Sequence, residues 1–176
     1  MLREDQIEVM IDQEKLENRI AELGKQISED YADREIEMIC VLKGGAMFMM
    51  QLAKSVTIPM TMDFMVLSSY GNELISSGEV KIKKDLDESI EGKHLLIVED
   101  IVDTGRTLSF LSNYLLKKGA ASVQICTMLD KPSRRVVPVE VKYRGFEIQD
   151  EFVLGYGLDY GQRYRNLPYV AYVKQA

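Results

Sequence analysis

The stretch from His94 to Leu129 constrains the fold more than any other part of the chain. An apolar run, His94 to Val98, leads into Glu99-Asp100-Ile101-Val102-Asp103-Thr104-Gly105-Arg106-Thr107. Leu108, Leu111, Leu115 and Leu116 then recur at helical spacing up to Lys117-Lys118-Gly119, a basic last turn followed by a glycine stop. Ser122 to Leu129 is a second apolar run. Strand, loop, helix and strand in that order make a βαβ unit, which requires a parallel sheet and a right-handed crossover.

The flanking sequence fits around such a sheet. Leu16, Ile20, Leu23, Ile27 and Tyr31 are three and four residues apart, which predicts an amphipathic helix over 13–31. Ile36, Met38, Ile39 and Val41 read as a buried strand ending at Lys43-Gly44-Gly45, followed by a helix over 46–54. Met47, Met49 and Met50 on that helix are expected in the core. Thr61 to Leu67 reads as another strand, Ser68 to Gly78 as a mobile loop, and 136–174 as short strands and glycine turns. No repeat, low-complexity tract or Pro-rich linker divides the chain, so one domain is expected.

Composition narrows the class. At 176 residues and 46% apolar, the chain is long enough to bury a sizeable core without disulfides. Cys40 and Cys126 are far apart and lie in apolar runs, so buried free thiols in a reducing, cytoplasmic compartment are expected. The acidic start, Met1-Leu2-Arg3-Glu4-Asp5, is no secretory leader, and no apolar run reaches the ~20 residues of a membrane span. A net charge of −6 argues against general nucleic-acid binding. His94 is the single histidine, which excludes a His-rich metal centre.

In open α/β sheets, ligands bind beyond the carboxyl ends of the strands. The candidate loops there are 43–45, 99–107 and 130–133. Asp103-Thr104-Gly105-Arg106-Thr107 enters a helix, so its backbone N–H groups, two threonine hydroxyls and the helix dipole form an anion cradle. It has neither the Walker A spacing nor GxGxxG. Glu99 and Asp100 stand just before the cradle. Two carboxylates repel a phosphate unless something lies between them. A vicinal sugar diol would donate to them, and a Mg²⁺ ion would offset their charge. A phosphorylated ribose satisfies both halves.

The run from Val98 to Leu108 resembles the phosphoribosyl pyrophosphate (PRPP) loop of the type I phosphoribosyltransferases. Four further segments match that family in order from about residue 10 onward. Leu42-Lys43-Gly44-Gly45 resembles its pyrophosphate loop, and Ser68-Ser69-Tyr70-Gly71 its flexible catalytic loop. Leu129-Asp130-Lys131-Pro132 with Phe152-Val153 resembles its purine-site segments. Asp159-Tyr160 with Tyr164-Arg165-Asn166-Leu167-Pro168 resembles its C-terminal segment. The resemblance implies an α/β fold: a central, mostly parallel sheet flanked by helices, with a small hood formed by the chain termini. One domain would span 1–176, its core roughly 35–150 and its hood the N-terminal segment with roughly 151–176.

The resemblance also implies roles. Glu99 and Asp100 would hold the ribose hydroxyls, and Asp103, Thr104, Gly105, Arg106 and Thr107 the 5′-phosphate. Lys43, Gly44 and Arg165 would contact pyrophosphate, and the Leu42–Lys43 peptide would be cis. Asp159, with Glu99 and Asp100, would serve Mg²⁺. Lys131 would donate to the purine 6-oxo group, Phe152 would stack on the base, Val153 would pair with its edge, and Ser69 and Tyr70 would belong to a lid. Asp103 is the catalytic candidate: a carboxylate there takes the N7 proton and points to 6-oxopurines rather than adenine, orotate or uracil. The implied reaction joins hypoxanthine, and guanine, to PRPP at N9, giving IMP or GMP and pyrophosphate, in a homodimer or homotetramer that binds neither nucleic acid nor membrane. The alternatives are transfer to another base such as xanthine, and a PRPP- or nucleotide-sensing regulator that binds nucleic acid.

Overall fold

The computed structural model describes residues 6–69 and 80–174. Among them a six-stranded sheet runs in the order β4-β3-β2-β5-β6-β7. Its strands are β2 (Ile36–Leu42), β3 (Met60–Ser69), β4 (Val80–Lys84), β5 (His94–Val102), β6 (Ser122–Asp130) and β7 (Tyr143–Glu147). All neighbours pair in parallel except β3 with β4. The expected βαβ unit is β5, α3 (Arg106–Lys117) and β6.

Helices cover both faces, so the central strands are apolar along most of their length. Met38 and Cys40 of β2, with Leu96 and Val98 of β5, pack against α1 (Gln13–Asp30) and α2 (Ala46–Ser55) through Leu16, Ile20, Leu23, Ile27, Phe48 and Leu52. The alternate residues Ile39, Val41, Leu95 and Ile97 pack against Leu108, Leu111 and Leu115 of α3. This two-residue alternation places one strand between two cores. Asp12 caps α1 by accepting the Lys15 amide at 2.9 Å.

A second, antiparallel sheet joins the two ends of the chain in the order β1-β9-β8, from β1 (Ile7–Ile11), β9 (Val170–Val173) and β8 (Val153–Leu154). It is the small hood over the main sheet.

Several expectations need correction. β5 does not stop at Val98. β6 runs beside it to Asp130, pairing Glu99 with Thr127 and Val102 with Asp130, so both acids lie on the strand itself. Only Met49 of the methionine cluster is buried. Met47 and Met50 are 37% and 41% exposed, because Phe48, Met49 and Leu52 form the inward face of α2. Arg19 ties α1 to β7 by donating to the carbonyls of Arg144 at 2.7 Å and Gly145 at 3.1 Å. Tyr70 and most of the expected 68–78 loop lie outside the described residues. Ser69 ends β3, its backbone in register with Val80. No helix among the described residues is long and apolar enough to cross a membrane.

Candidate active site

The carboxyl ends of β2, β5 and β6 deliver three loops to one edge of the sheet, and the segment after β8 crosses above them. The anion cradle opens at the end of β5. Gly105 adopts φ +81° and starts α3 without a side-chain cap of its own, the kind of helix start that receives anions. A side chain at Gly105 would meet the Val137 carbonyl oxygen at 2.4 Å. The Thr104 carbonyl accepts the amides of Val136 and Val137, both at 3.0 Å. Glu99, Asp103, Thr104, Gly105 and Thr107 ring a cavity of about 130 Å³, room for a small anion.

Glu99 is buried, and its carboxylate accepts the Asp100 amide at 3.3 Å. Asp100 caps the Ile101 amide at 2.7 Å. Burial first, then the charge of Asp100, pushes the Glu99 carboxyl well above the usual carboxylate range. Burial also raises Asp100, with hydrogen bonds and the Arg165 charge opposing it. Burial thus disfavours the charged form of both acids until a hydroxyl donor or a cation offsets it. Cys40 lies beneath it, and burial together with both acids pushes its thiol up to about 12, so it is inert. Cys40 and Cys126 are both free and buried.

Loop 43–45 begins with a cis Leu42–Lys43 peptide. Gly44 lies so close to Asp100 that a Cβ there would fall 1.7 Å from its Oδ2. From above, Gly157, at φ +98°, would place a Cβ 2.1 Å from the Gly44 carbonyl oxygen. Arg165 donates to the Gly157 carbonyl at 2.7 Å and pairs with Asp159 at 2.6 Å. The other Asp159 oxygen accepts the Gln162 amide at 2.7 Å, and Lys43 donates to the Gln162 side chain at 3.2 Å. Lys43, Gly44, Asp159 and Arg165 are thereby gathered on one side of the acid pair.

The other side carries the remaining candidates. Lys131 is 8% exposed, and its ammonium donates to the Glu151 carbonyl at 2.6 Å. The Asp150 carboxylate stands 3.7 Å away. Phe152 is 55% exposed and meets Tyr160 edge-on at 5.6 Å, so it is a presented aromatic face and not core. Val153 is buried in β8 opposite Tyr172. The Asp103 carboxylate faces this side, paired with Arg134 at 3.2 Å. Arg106 is exposed on the first turn of α3.

The sequence reading missed Arg134, Arg135 and Gln162. Arg134 also reaches Asp150 at 3.5 Å, so Lys131, Asp150, Arg134 and Asp103 alternate in charge along one wall. The signal was available in part: Lys131-Pro132-Ser133-Arg134-Arg135 puts three cations within five residues at the end of β6.

Comparison with known proteins accords with this geometry. Residues 9–161 match the phosphoribosyl transferase domain. The chain is 54% identical to the hypoxanthine phosphoribosyltransferase of Salmonella typhimurium over 169 residues, 95% of either protein. It is 48% identical to the hypoxanthine-guanine phosphoribosyltransferase of Bacillus subtilis, covering 100% of this chain and 98% of that protein. A crystal structure of a hypoxanthine phosphoribosyltransferase from Staphylococcus aureus superposes with a TM-score of 0.93 at 46% identity, covering 97% of this chain and 93% of that one. With the phosphoribosyl transferase domain matched over residues 9–161 and relatives of this identity along its whole length, the chain belongs to the phosphoribosyltransferase family and groups with its hypoxanthine(-guanine) members.

Proposed function

We propose that this chain transfers the 5-phosphoribosyl group of PRPP to N9 of hypoxanthine, and of guanine, releasing pyrophosphate. The observation that carries this reading is the anion cradle at Gly105, which follows the buried Glu99 and its neighbour Asp100 along one strand and loop. The cradle suits the 5′-phosphate, and the acid pair suits the ribose diol. Lys43, Gly44 and Arg165 bind pyrophosphate. Lys131 donates to the 6-oxo group, Phe152 stacks on the base and the Val153 backbone reads its edge.

The donor set fits Mg²⁺ held only in part by protein. Among the described residues no cluster of three or more acids, histidines or cysteines is assembled. Mg²⁺ is commonly bound by one or two carboxylates plus substrate phosphates. Asp159, Glu99 and Asp100 are the residues that would hold it. Bound there, it supplies charge neutralisation for the departing pyrophosphate.

The protein's own part is alignment and charge placement. As the bond from ribose C1 to pyrophosphate breaks, the sugar carbon gains oxocarbenium character and N9 of the base attacks it. Lys43 and Arg165 take up the negative charge that leaves. The Asp103 carboxylate accepts the N7 proton, which raises the nucleophilicity of N9. We further propose a cytoplasmic homodimer or homotetramer. The test is steady-state assay with PRPP, Mg²⁺ and each of hypoxanthine, guanine, xanthine and adenine. Turnover of hypoxanthine with release of pyrophosphate is expected. Failure to turn over either 6-oxopurine would refute the reading.

A further inference from the structure

Asp130, the last residue of β6, is fully buried. A carboxylate in that position requires cations, and two arginines supply them. Arg135 donates through Nη2 to Oδ1. Arg144 brings its Nε to 2.8 Å from Oδ2, an ion pair without the alignment of a hydrogen bond. The two arginines differ in what else they reach. Arg144 turns outward to Glu147 at 3.3 Å. Arg135 turns inward, and its Nη1 donates to the backbone carbonyl of Asp103 at 2.7 Å.

We propose that Arg135 is a positioning residue for the site: its guanidinium, fixed from behind by Asp130, clamps the Asp103 carbonyl and so sets the direction of the loop through Thr107. The proposal rests on reading 103–107 as the loop that carries the catalytic carboxylate and the 5′-phosphate cradle.

Three observations support it. First, the Arg135 side chain is only 18% exposed, so the hydrogen bond to Asp103 acts in a poorly hydrated setting. Second, the following residues extend the clamp, since the amides of Val136 and Val137 both bond the Thr104 carbonyl. Third, Gly105 is pressed against the same segment: an added Cβ would lie 3.0 Å from Arg135 Cδ as well as 2.4 Å from the Val137 carbonyl oxygen. The loop has few other ties of its own; the Arg106 amide reaches Thr104 Oγ1 only at 3.4 Å. The forked, planar guanidinium offers Nη1 to Asp103 and Nη2 to Asp130 in a fixed geometry, which the shorter, single-headed side chain of lysine does not reproduce.

The fold provides its own control. Arg135→Met and Arg144→Met each remove one cation from the same buried carboxylate, but only the first also frees the Asp103 carbonyl. In steady state, Arg135→Met should lower kcat/KM for PRPP by about 10-fold or more relative to Arg144→Met, with KM for PRPP raised at comparable melting temperature. Arg135→Lys, which keeps a cation beside Asp130, should melt near wild type yet fall short on PRPP. It carries the comparison if the methionine variant does not fold. Independently of turnover, hydrogen exchange of a peptide covering 103–107 should speed up in the Arg135 variants and not in Arg144→Met. Equal kinetics and equal exchange in Arg135→Met and Arg144→Met, or full activity in Arg135→Lys, would overturn the proposal. If wild type itself fails to use PRPP, the transferase reading falls, and the exchange comparison alone still decides whether Arg135 holds the loop.

Discussion

Base choice is where the geometry makes its most quantitative statement. Lys131 has three N–H donors and no acceptor. One donor is committed to the Glu151 carbonyl at 2.6 Å, and Asp150 at 3.7 Å is beyond hydrogen-bond reach. The side chain is only 10% exposed, so water satisfies the rest poorly. A 6-oxo group accepts the free donor. The 6-amino group of adenine donates instead, and opposes it. Losing a hydrogen bond to a charged group is worth about 1.5–3 kcal/mol, and leaving a buried donor unmet about 1–3 kcal/mol more. The sum centres on ~4 kcal/mol, or ~10³-fold. Hydrogen-bonding sites can reject a mismatched analogue by about 10⁴–10⁵-fold, and ~10³ falls below that range because the Glu151 bond remains. The assay is kcat/KM for hypoxanthine and for adenine at saturating PRPP and Mg²⁺, on wild type and Lys131→Gln. The glutamine amide can turn either its oxygen or its nitrogen to the base. It should narrow the ratio mainly by losing hypoxanthine activity. Adenine used within tenfold of hypoxanthine by wild type, or an unchanged ratio in Lys131→Gln, would refute the reasoning.

Asp103→Asn keeps the shape of the side chain and loses its basicity; PRPP affinity by calorimetry should hold while chemistry-limited turnover falls on the order of 10²–10⁴-fold, and a loss under twofold would remove Asp103 from the reaction. Gly157→Ala should push loop 43–45 off its position, because the obstacle is the Gly44 backbone at 2.1 Å, and KM for PRPP should rise by about tenfold or more. Gly161→Ala is the control, since its φ is also positive, at +58°, but open space surrounds it; equal effects in the two variants would dispose of the clash argument. Asp30, on which Lys142 and then Tyr143 converge, has a carboxyl held below its usual range. Its charge therefore stabilises the fold above the unfolded value near 3.8 and loses that effect as pH falls through the lower folded value. Denaturant titrations of Asp30→Asn should show a penalty on the order of 0.5 kcal/mol at pH 7, discounted for an exposed pair, that fades in acid; a constant penalty down to pH 2.5 would contradict it.

What was legible in the sequence had strong local periodicity or sat at a strand end. Leu108, Leu111 and Leu115 announce α3, and Asp103 to Thr107 can be recognised as a cradle because every group needed is contiguous. The same holds for Lys43-Gly44 and for Lys131. The unread parts depend on partners distant in sequence. β1 is five residues with an irregular register against β9, and nothing local in Ile7–Ile11 separates it from a loop. β4 is an edge strand of alternating Lys and aliphatic residues whose pairing with β3 shifts at Val66 and Leu67. The end of β5 was misjudged because polarity suggested a loop at Glu99, whereas the length of a parallel strand is set by its neighbour, here β6. Arg135 is 32 residues from Asp103, and Arg165 is 8 from Gly157. Spacing carries no information about either contact. Only the order of elements brings them together.

The division of β5 explains how accuracy and cost coexist in one strand. Leu95 to Val98 are wholly buried between two helical layers, and Glu99 follows with no break in the ladder. Packed interiors resist displacement, so the acid pair inherits its position from four apolar residues and not from a loop. The cost falls on the same residues. Burial raises both carboxyls, which means the fold without ligand works against the charged form that the ribose and the cation require. Gly44 and Gly157 fit with this: one leaves space for Asp100 and the other for Gly44, so the pyrophosphate side closes onto the pair with bare backbone. On the opposite side no such compression occurs. Asp103 and Phe152 stay partly open, and the charged wall of Lys131, Asp150, Arg134 and Asp103 is spread over longer distances. On the function proposed above, the tightly packed half would hold the sugar and pyrophosphate, and the half with the exposed Phe152 would take the base.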